Sequence, residues 1–399
     1  MEQVISTEKI PIKLWTDDID SGALAQAKNL ANLPFAFKWV SIMSDCHQGY
    51  GMPIGGVLAT KDVIIPNCVG VDIGCGMCAV KTSLTEIDRE TLKKIMGEIR
   101  EIIPVGFSRQ KEDQDINLMP EITYPGLPDC GEVLKKEYKN ARTQIGTLGG
   151  GNHFIEIQKG SDHHIWIMIH SGSRNLGYKV AKHYNKIAVN LNEKWHSKVP
   201  AEWGLAFLPI DSKEAKDYLL EMNYCVDFAF ANRKLMMERV CDVFAEELKK
   251  HYQSLDEHIA FDELINIAHN YASLENHFGQ NVWVHRKGAT EAREGTIGIV
   301  PGSQGTASYI VRGKGNPESF MSCSHGAGRR MGRKQAIREL SMEDEVKALE
   351  DKGILHSIRS VKQLDEAPSA YKPIDVVMKN QEDLVDIVVE LKPLAVIKG

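Results

Sequence analysis

Apolar positions along this chain fall into short runs separated by glycine, and between those runs into helical stripes. Alternating or β-branched runs predict strands at 35–43, 77–80, 152–157, 164–170, 264–268, 282–285, 297–300, 308–311 and 385–397. Three-to-four-residue periodicity predicts helices at 20–33, 84–103, 130–143, 177–197, 211–251 and 326–340. In the first of these, Leu24, Ala27, Leu30 and Ala31 share one face, with Asp20 or Ser21 as the cap. The longest predicted helix carries Leu219, Met222, Val226, Ala229, Leu235, Met236 and Val240 toward a core and reads as scaffold. Residues 104–128 are polar and proline-bearing, which predicts a surface loop. There is no internal repeat, low-complexity tract or linker. The expected fold is α+β, one large domain over 1–399 with mixed β-sheets and surrounding helices.

Composition narrows the class. With 43% hydrophobic and 26% charged residues the chain is ordinarily globular, and 399 residues suffice for a large core. No apolar run reaches spanning length, and the first fifteen residues lack a signal-peptide pattern, so a cytoplasmic protein with no membrane association is expected. Eight cysteines are too sparse for a disulfide framework. The net charge of −6 does not advertise a nucleic-acid binder, so any such role needs a local basic patch.

The candidate chemistry centres on Gly70-Val-Asp-Ile-Gly-Cys-Gly-Met-Cys78. Three glycines imply tight backbone or close approach, and Asp72 and Cys75 place a hard oxygen near a soft sulfur, a pair suited to a metal ion. His153, His170 and His269 each end or interrupt an apolar run, where a buried imidazole is either a hydrogen-bonded core residue or a ligand. Each alone favours the core reading; the five together favour metal. Five ligands exceed one tetrahedral ion's need, so two ions sharing a bridging thiolate fit, and the carboxylate admits manganese where cysteine and histidine alone would indicate zinc. Cys75 and Cys78 also form a C-x-x-C, but no second pair exists for a four-sulfur site and no thioredoxin-like surroundings support a redox role.

A second set of residues suits phosphate. His325 precedes Gly326-Ala327-Gly328 at an expected helix start, where exposed N–H groups attract anions, and Arg329, Arg330, Arg333 and Lys334 follow. The bland alternative is a capped basic helix. The loop 301–308 offers hydroxyls and bare backbone. There is no Walker A motif and no lysine followed by x-Asp-Gly, so covalent nucleotide chemistry would fall to histidine.

Taken together, Val71-Asp-Ile-Gly-Cys-Gly-Met77, Gly149-x-Gly-Asn-His-Phe154-x-Glu156, His170-Ser-Gly-Ser-Arg174, His269-Asn-Tyr271, Arg286-Lys-Gly-Ala289 and Ser324-His-Gly-Ala-Gly-Arg329 resemble the RtcB-type RNA ligases, in order and over nearly the whole chain. The resemblance implies a GTP- and manganese-dependent ligase that joins RNA 3′-phosphate or 2′,3′-cyclic phosphate ends to 5′-hydroxyl ends in RNA repair or tRNA splicing. It implies that Cys75 bridges two Mn²⁺ ions, with His153 and His170 on one and Asp72 and His269 on the other. His325 would attack the α-phosphate of GTP and carry GMP, with Asp45 and His47 beside it. Asn152, Glu156, Ser303, Ser308, Gly326, Ala327, Gly328, Arg329, Tyr371 and Lys398 would hold the nucleotide. Arg174, Lys287 and Arg333 would face phosphates or RNA. A monomer is expected, and an archease-type activator is a further partner the family suggests. Ser44, Cys46, Gln48, Gln304 and Gly332 depart from the family's usual residues near the RNA-end and nucleotide loops, which bears on substrate range. Two other readings compete. A dinuclear metal phosphoesterase would keep the five ligands but form no GMP adduct, and a non-enzymatic RNA-binding protein would not depend on Cys75.

Overall fold

The structure, a computed structural model, describes residues 1–121, 131–251 and 259–399. Mixed sheets surrounded by helices form an α+β fold. A six-stranded sheet runs in the order Gln3–Ile5, Ile12–Leu14, Ala36–Tyr50, Met52–Thr60, Gln280–Lys287, Asn270–His277. Its one parallel pair joins Ile12–Leu14 to Ala36–Tyr50. A seven-stranded antiparallel sheet runs Ile265–Ala268, Gly76–Lys81, Ile165–Ser171, Phe154–Gly160, Val385–Lys398, Ser308–Gly313, Ile297–Val300. The chain passes from the edge of the second sheet to the edge of the first at one residue, His269, between Ile265–Ala268 and Asn270–His277.

Helices cover the larger sheet because its strands are apolar on both faces. Helices Arg89–Ile102 and Lys213–His251 bury Leu92, Ile95, Ile99, Met236, Val240 and Phe244 against Ile155, Ile157, Ile167, Ile169 and Ile397 on one face. On the other face Met168, Leu391 and Val396 meet Leu349, Ile354 and Leu364. Among the described residues no helix is long and apolar enough to cross a membrane.

Several boundaries differ from the sequence expectation, each for a local reason. The first helix is Ser21–Ala31, and Asp20 caps it by accepting the Ala23 N–H at 2.8 Å. The helix expected at 84–103 begins only at Arg89, because Asp88 is its cap. That expected at 177–197 is Arg174–Lys194. The strand expected to stop at 43 continues to Tyr50 through register shifts, so Asp45 and His47 also lie on it. The helix expected at 326–340 is confined to Arg333–Glu339. Gly328 has a φ of +72°, and its α-carbon packs so closely on the Asp45 carbonyl that a side chain would collide with it. Residues 326–332 are therefore a turn, and His325 does not sit at a helix start. Residues 122–130, within the expected loop and the start of the expected 130–143 helix, lie outside the described residues; that helix is Glu132–Arg142.

Close approach also fixes Gly76, where the strand leaves the Asp72–Cys75 turn. A β-carbon there would fall inside the Ile267 carbonyl oxygen of the paired strand. Gly76→Ala is expected to lower unfolding free energy by about 3 kcal/mol, read from urea denaturation, because a backbone atom cannot step aside. An unchanged midpoint would mean that the two strands are not pressed together here.

Candidate functional site

Backbone hydrogen bonds pin the turn before Gly76. Cys75 N–H donates to Asp72 O (3.1 Å), Gly74 N–H to Asn270 O (2.8 Å), and His269 N–H to Cys75 O (2.8 Å). This brings Asp72, Cys75 and His269 together. The adjacent strands Phe154–Gly160 and Ile165–Ser171 add His153 just before the first and His170 within the second. Cys75 Sγ lies 3.4 Å from His153 Nε2 and 3.3 Å from His170 Nε2, and His153 Nε2 lies 3.1 Å from Asp72 Oδ2.

The tautomers follow from the other nitrogens. His153 Nδ1 faces Leu148 O at 3.0 Å and His170 Nδ1 faces Asn152 O at 3.2 Å. A carbonyl only accepts, so both Nδ1 atoms carry hydrogen and both Nε2 atoms point inward. At His153 that nitrogen faces a carboxylate oxygen and a sulfur. A cation among these donors would hold them together. Sγ of Cys75 and one nitrogen each of His153 and His170 lie within 4.8 Å of one another, all buried, as a metal site requires. His269 adds a buried Nδ1 with no hydrogen-bond partner. Burial, with neighbouring imidazoles, holds His170 and His269 well below the usual histidine range, so both are neutral. Burial and the Asp72 charge push the Cys75 thiol well up. Burial alone would raise the Asp72 carboxyl, but the His153 hydrogen bond and charge keep it low. Such a thiol ionises only against a bound cation. These donors fit a metal ion.

Two residues of the long helix hold the loops that carry these ligands. Asn232 accepts the N–H groups of Gly146 and Thr147 and donates to Gly172 O (3.1 Å). Arg233 donates to Gly74 O and Ser171 O, each at 2.9 Å.

His325 joins the cluster through His269. Ring centroids run His153–His170 5.2 Å, His170–His269 5.2 Å and His269–His325 4.7 Å. A short ribbon, Ala289–Glu291 paired with Ser322–Ser324, delivers it. Asp45, fully buried, sets its orientation: Oδ2 accepts the N–H groups of His325 (3.1 Å) and Gly326 (3.3 Å) and lies 2.5 Å from His325 Nδ1. His325 Nε2 is the nitrogen left over. His47 Nδ1 lies 3.1 Å from Asp45 O, and burial lowers its pKa to about 4, so that ring is neutral.

His170, His325 and His47 open onto a cavity of about 790 Å³. Asn152, Glu156, Ser303, Gly326, Ala327, Gly328, Arg329, Arg333, Tyr371 and Lys398 also line it. At its far side Arg333 Nε and Arg329 Nη1 lie 2.9 and 3.2 Å from Glu366 Oε1. The Tyr371 hydroxyl donates to Glu366 Oε2, and Lys398 Nζ lies 3.8 Å from it. Burial lowers the Lys398 pKa despite the opposing charges of Glu366 and Glu156. Burial pushes the Glu156 carboxyl up to about 8, against Lys398 and the Gln158 hydrogen bond (2.6 Å).

Three of the residues expected to meet nucleotide or RNA do not line this cavity. Ser308 is buried behind it, accepting the Gly302 N–H (3.1 Å). Lys287 points inward and gives its ammonium to the carbonyls of Tyr50, Met52 and Asn67 at 2.6, 3.0 and 3.1 Å. Arg174 lies behind the metal ligands, donating to Thr147 Oγ1 and Gly106 O. Sequence reasoning missed Glu366, Asn232 and Arg233. Glu366 is one acid in a polar stretch and carried no signal; its backbone is held by Gln304, whose Nε2 donates to Glu366 O at 2.7 Å. Asn232 and Arg233 carried no distinct signal, because they fall among many polar and charged residues of an amphipathic helix.

Comparison with known proteins places the chain in a family. The family model described as tRNA-splicing ligase RtcB matches residues 26–126 and 123–399. The RNA-splicing ligase RtcB of Escherichia coli K12 is 38% identical over 100% of this chain and 99% of its own length. The tRNA-splicing ligase RtcB of Pyrobaculum aerophilum is 32% identical over 98% and 95%. RNA-splicing ligase RtcB homolog 1 of Entamoeba histolytica is 33% identical over 95% and 84%. With motifs, geometry and near full-length matches in agreement, this chain belongs to the RtcB family.

Proposed function

We propose that the protein is an RNA ligase that joins a 3′-phosphate or 2′,3′-cyclic phosphate end to a 5′-hydroxyl end, using GTP and two Mn²⁺ ions. The observation that carries this reading is His325, buttressed at Nδ1 by buried Asp45 and 4.7 Å, ring to ring, from a member of the Cys75 cluster. Asp72, Cys75, His153, His170 and His269 would hold the ions. When bound, they supply positive charge that offsets developing phosphoryl charge and favours an ionised nucleophile.

The chain's own residues have separable roles. Asp45 fixes the ring and stabilises positive charge on it as Nε2 becomes the attacking atom. Nε2 bonds to the α-phosphorus of GTP as the bond to pyrophosphate breaks, leaving GMP on His325. A cyclic RNA end is opened by water to the 3′-phosphate. That phosphate takes GMP from His325, and the 5′-hydroxyl oxygen of the second strand then bonds to the 3′-phosphorus as GMP leaves. Neutral His47 is placed beside this ring to exchange a proton. Arg329, Arg333 and Lys398 face the phosphates or base of the nucleotide; Glu156, Asn152, Ser303 and Tyr371 complete its wall. Ser308 supports that wall from behind. Arg174 braces the ligand loops.

Label retention distinguishes a ligase from a phosphoesterase with the same ligands. Incubation with MnCl₂ and GTP labelled at the α-phosphate should leave acid-labile label on the wild type and none on His325→Ala. Label-free protein that still releases phosphate from RNA ends would overturn the ligase reading. Cys75→Ala should reduce bound metal, measured by elemental analysis after desalting, and lower adduct formation by about 100-fold or more. Glu366→Ala leaves Arg329 and Lys398 without their counter-charge inside the protein; a loss of about 2 kcal/mol is expected by urea denaturation, discounted because Arg333 is half exposed. GTP should restore more of the melting temperature in this variant than it adds to the wild type, since its phosphates replace the missing anion.

A further inference from the structure

A ligase must hold RNA beyond the reacting ends, yet this chain carries a net charge of −6. Basic residues without partners are therefore informative. On helix Arg89–Ile102, exposed Arg89, Lys93 and Arg100 line up with buried Met96 at four-, three- and four-residue steps. They form one wall of a groove of about 360 Å³ whose other wall includes His356 and Arg359. Each arginine is fixed by a neutral acceptor: Arg89 Nη1 donates to Gly353 O (2.6 Å), Arg100 Nη2 to Ser357 Oγ (2.9 Å) and Arg359 Nη1 to Ile358 O (2.7 Å).

Among the described residues none of these three arginines has a carboxylate at ion-pair distance. Glu350 is the acid lining the groove, and it lies 4.0 Å from His356 Nε2. Lys93 is shared with Glu90 at 2.7 Å. Arg100 and Arg359 act on one another as like charges. Holding cations together, anchored but uncompensated, costs free energy unless an anion occupies the space between them. The groove is also tied to the catalytic side: Ser357 Oγ donates to Val396 O (3.1 Å), two residues before Lys398 on the strand that ends in the cavity.

We propose that this groove is a second anion site, outside the catalytic cavity, that binds backbone phosphates of the RNA strand. The proposal rests on the RNA-ligase reading for the identity of its ligand. Two arginines presenting fixed forks suit phosphodiester oxygens and read no base, so binding should be independent of sequence.

The test compares wild type with Arg100→Gln/Arg359→Gln for binding of a fluorescently labelled single-stranded RNA across a salt series, by anisotropy. Losing two phosphate contacts should lower the slope of log K against log salt by about 1.4 and weaken binding roughly tenfold at low salt, alike for unrelated sequences. GMP labelling of His325 should be unchanged, since neither residue touches the cavity. Arg359→Glu alone, at an exposed residue whose guanidinium donates to its neighbour's carbonyl, serves if the double variant fails to fold and should weaken RNA binding in the same sense. An unchanged slope and affinity in variants that still fold and label would overturn the groove and leave the ligase reading intact. The same holds if inorganic phosphate binds the wild-type groove, by titration, while RNA affinity is unaffected by the substitutions. Wild-type protein that neither labels with GMP nor binds RNA would remove both.

Discussion

A buried guanidinium with no carboxylate partner underlies the architecture of this site. Arg233 has no solvent exposure and donates to Gly74 O, Ser171 O and Asn266 Oδ1, while its Nη2 has no hydrogen-bond partner. Burial lowers its pKa to about 10, which leaves it charged at neutral pH. A charge buried this way is tolerated only where surrounding dipoles and anions offset its lost hydration. Here the offset comes from the backbone of the two loops carrying ligands, with Asp72 and Cys75 in front. Arg233 lies on the middle of a 39-residue helix packed across a sheet, so the loops are positioned by the most extensive element in the molecule. Its charge also favours the ionised form of Cys75, the form a metal ligand takes.

That anchoring explains how two sheets can share one centre. His269 is the residue where the chain leaves one sheet for the other, and Asn270 beside it accepts the Gly288 N–H (2.8 Å) and donates to Asp72 O (3.0 Å). Asp45, on the other sheet, reaches His325 at the end of the ribbon that follows Gly288. The cluster is therefore also a seam. A shift of one sheet against the other would separate His325 from His269 and Asp45 together, and such seams are where preorganised sites gain rigidity.

How much of this was legible depended on whether the signal was local. Asp72, Cys75, His153, His170 and His269 stand out because ligand-type residues interrupt apolar or glycine-rich runs, and the structure brings all five together. The strands around them were also readable, since apolar alternation reports burial directly. Asp45 is different: it lies beyond the apolar run that predicted a strand ending at 43, yet the strand continues past it through register shifts, since glycines permit bulges and close strand approach. The helix expected after His325 failed for a non-local reason, the Asp45 backbone packed against Gly328. Lys287 resembled a free cation because its neighbours are basic and polar, and only the tertiary fold supplies the three carbonyls that absorb its charge. Glu366 was invisible because its importance is entirely in what reaches it from distant segments.

Glu366 also indicates how the cations of the cavity are held in place. Arg329, Arg333 and Lys398 come from three separate elements and would repel one another across a desolvated space. One carboxylate receives them all, with Tyr371 on its second oxygen and the Arg329 guanidinium 5.1 Å above the Tyr371 ring. Three cations against one buried anion leave a positive excess in the cavity. That excess would suit the polyphosphate of the proposed nucleotide, while the carboxylate keeps the cations from dispersing to solvent. The same logic separates the cavity from the groove on helix Arg89–Ile102. In the cavity the cations are partnered in advance and set for one small ligand. In the groove they are anchored by neutral acceptors and left uncompensated, which suits a long flexible anion that binds anywhere along its length.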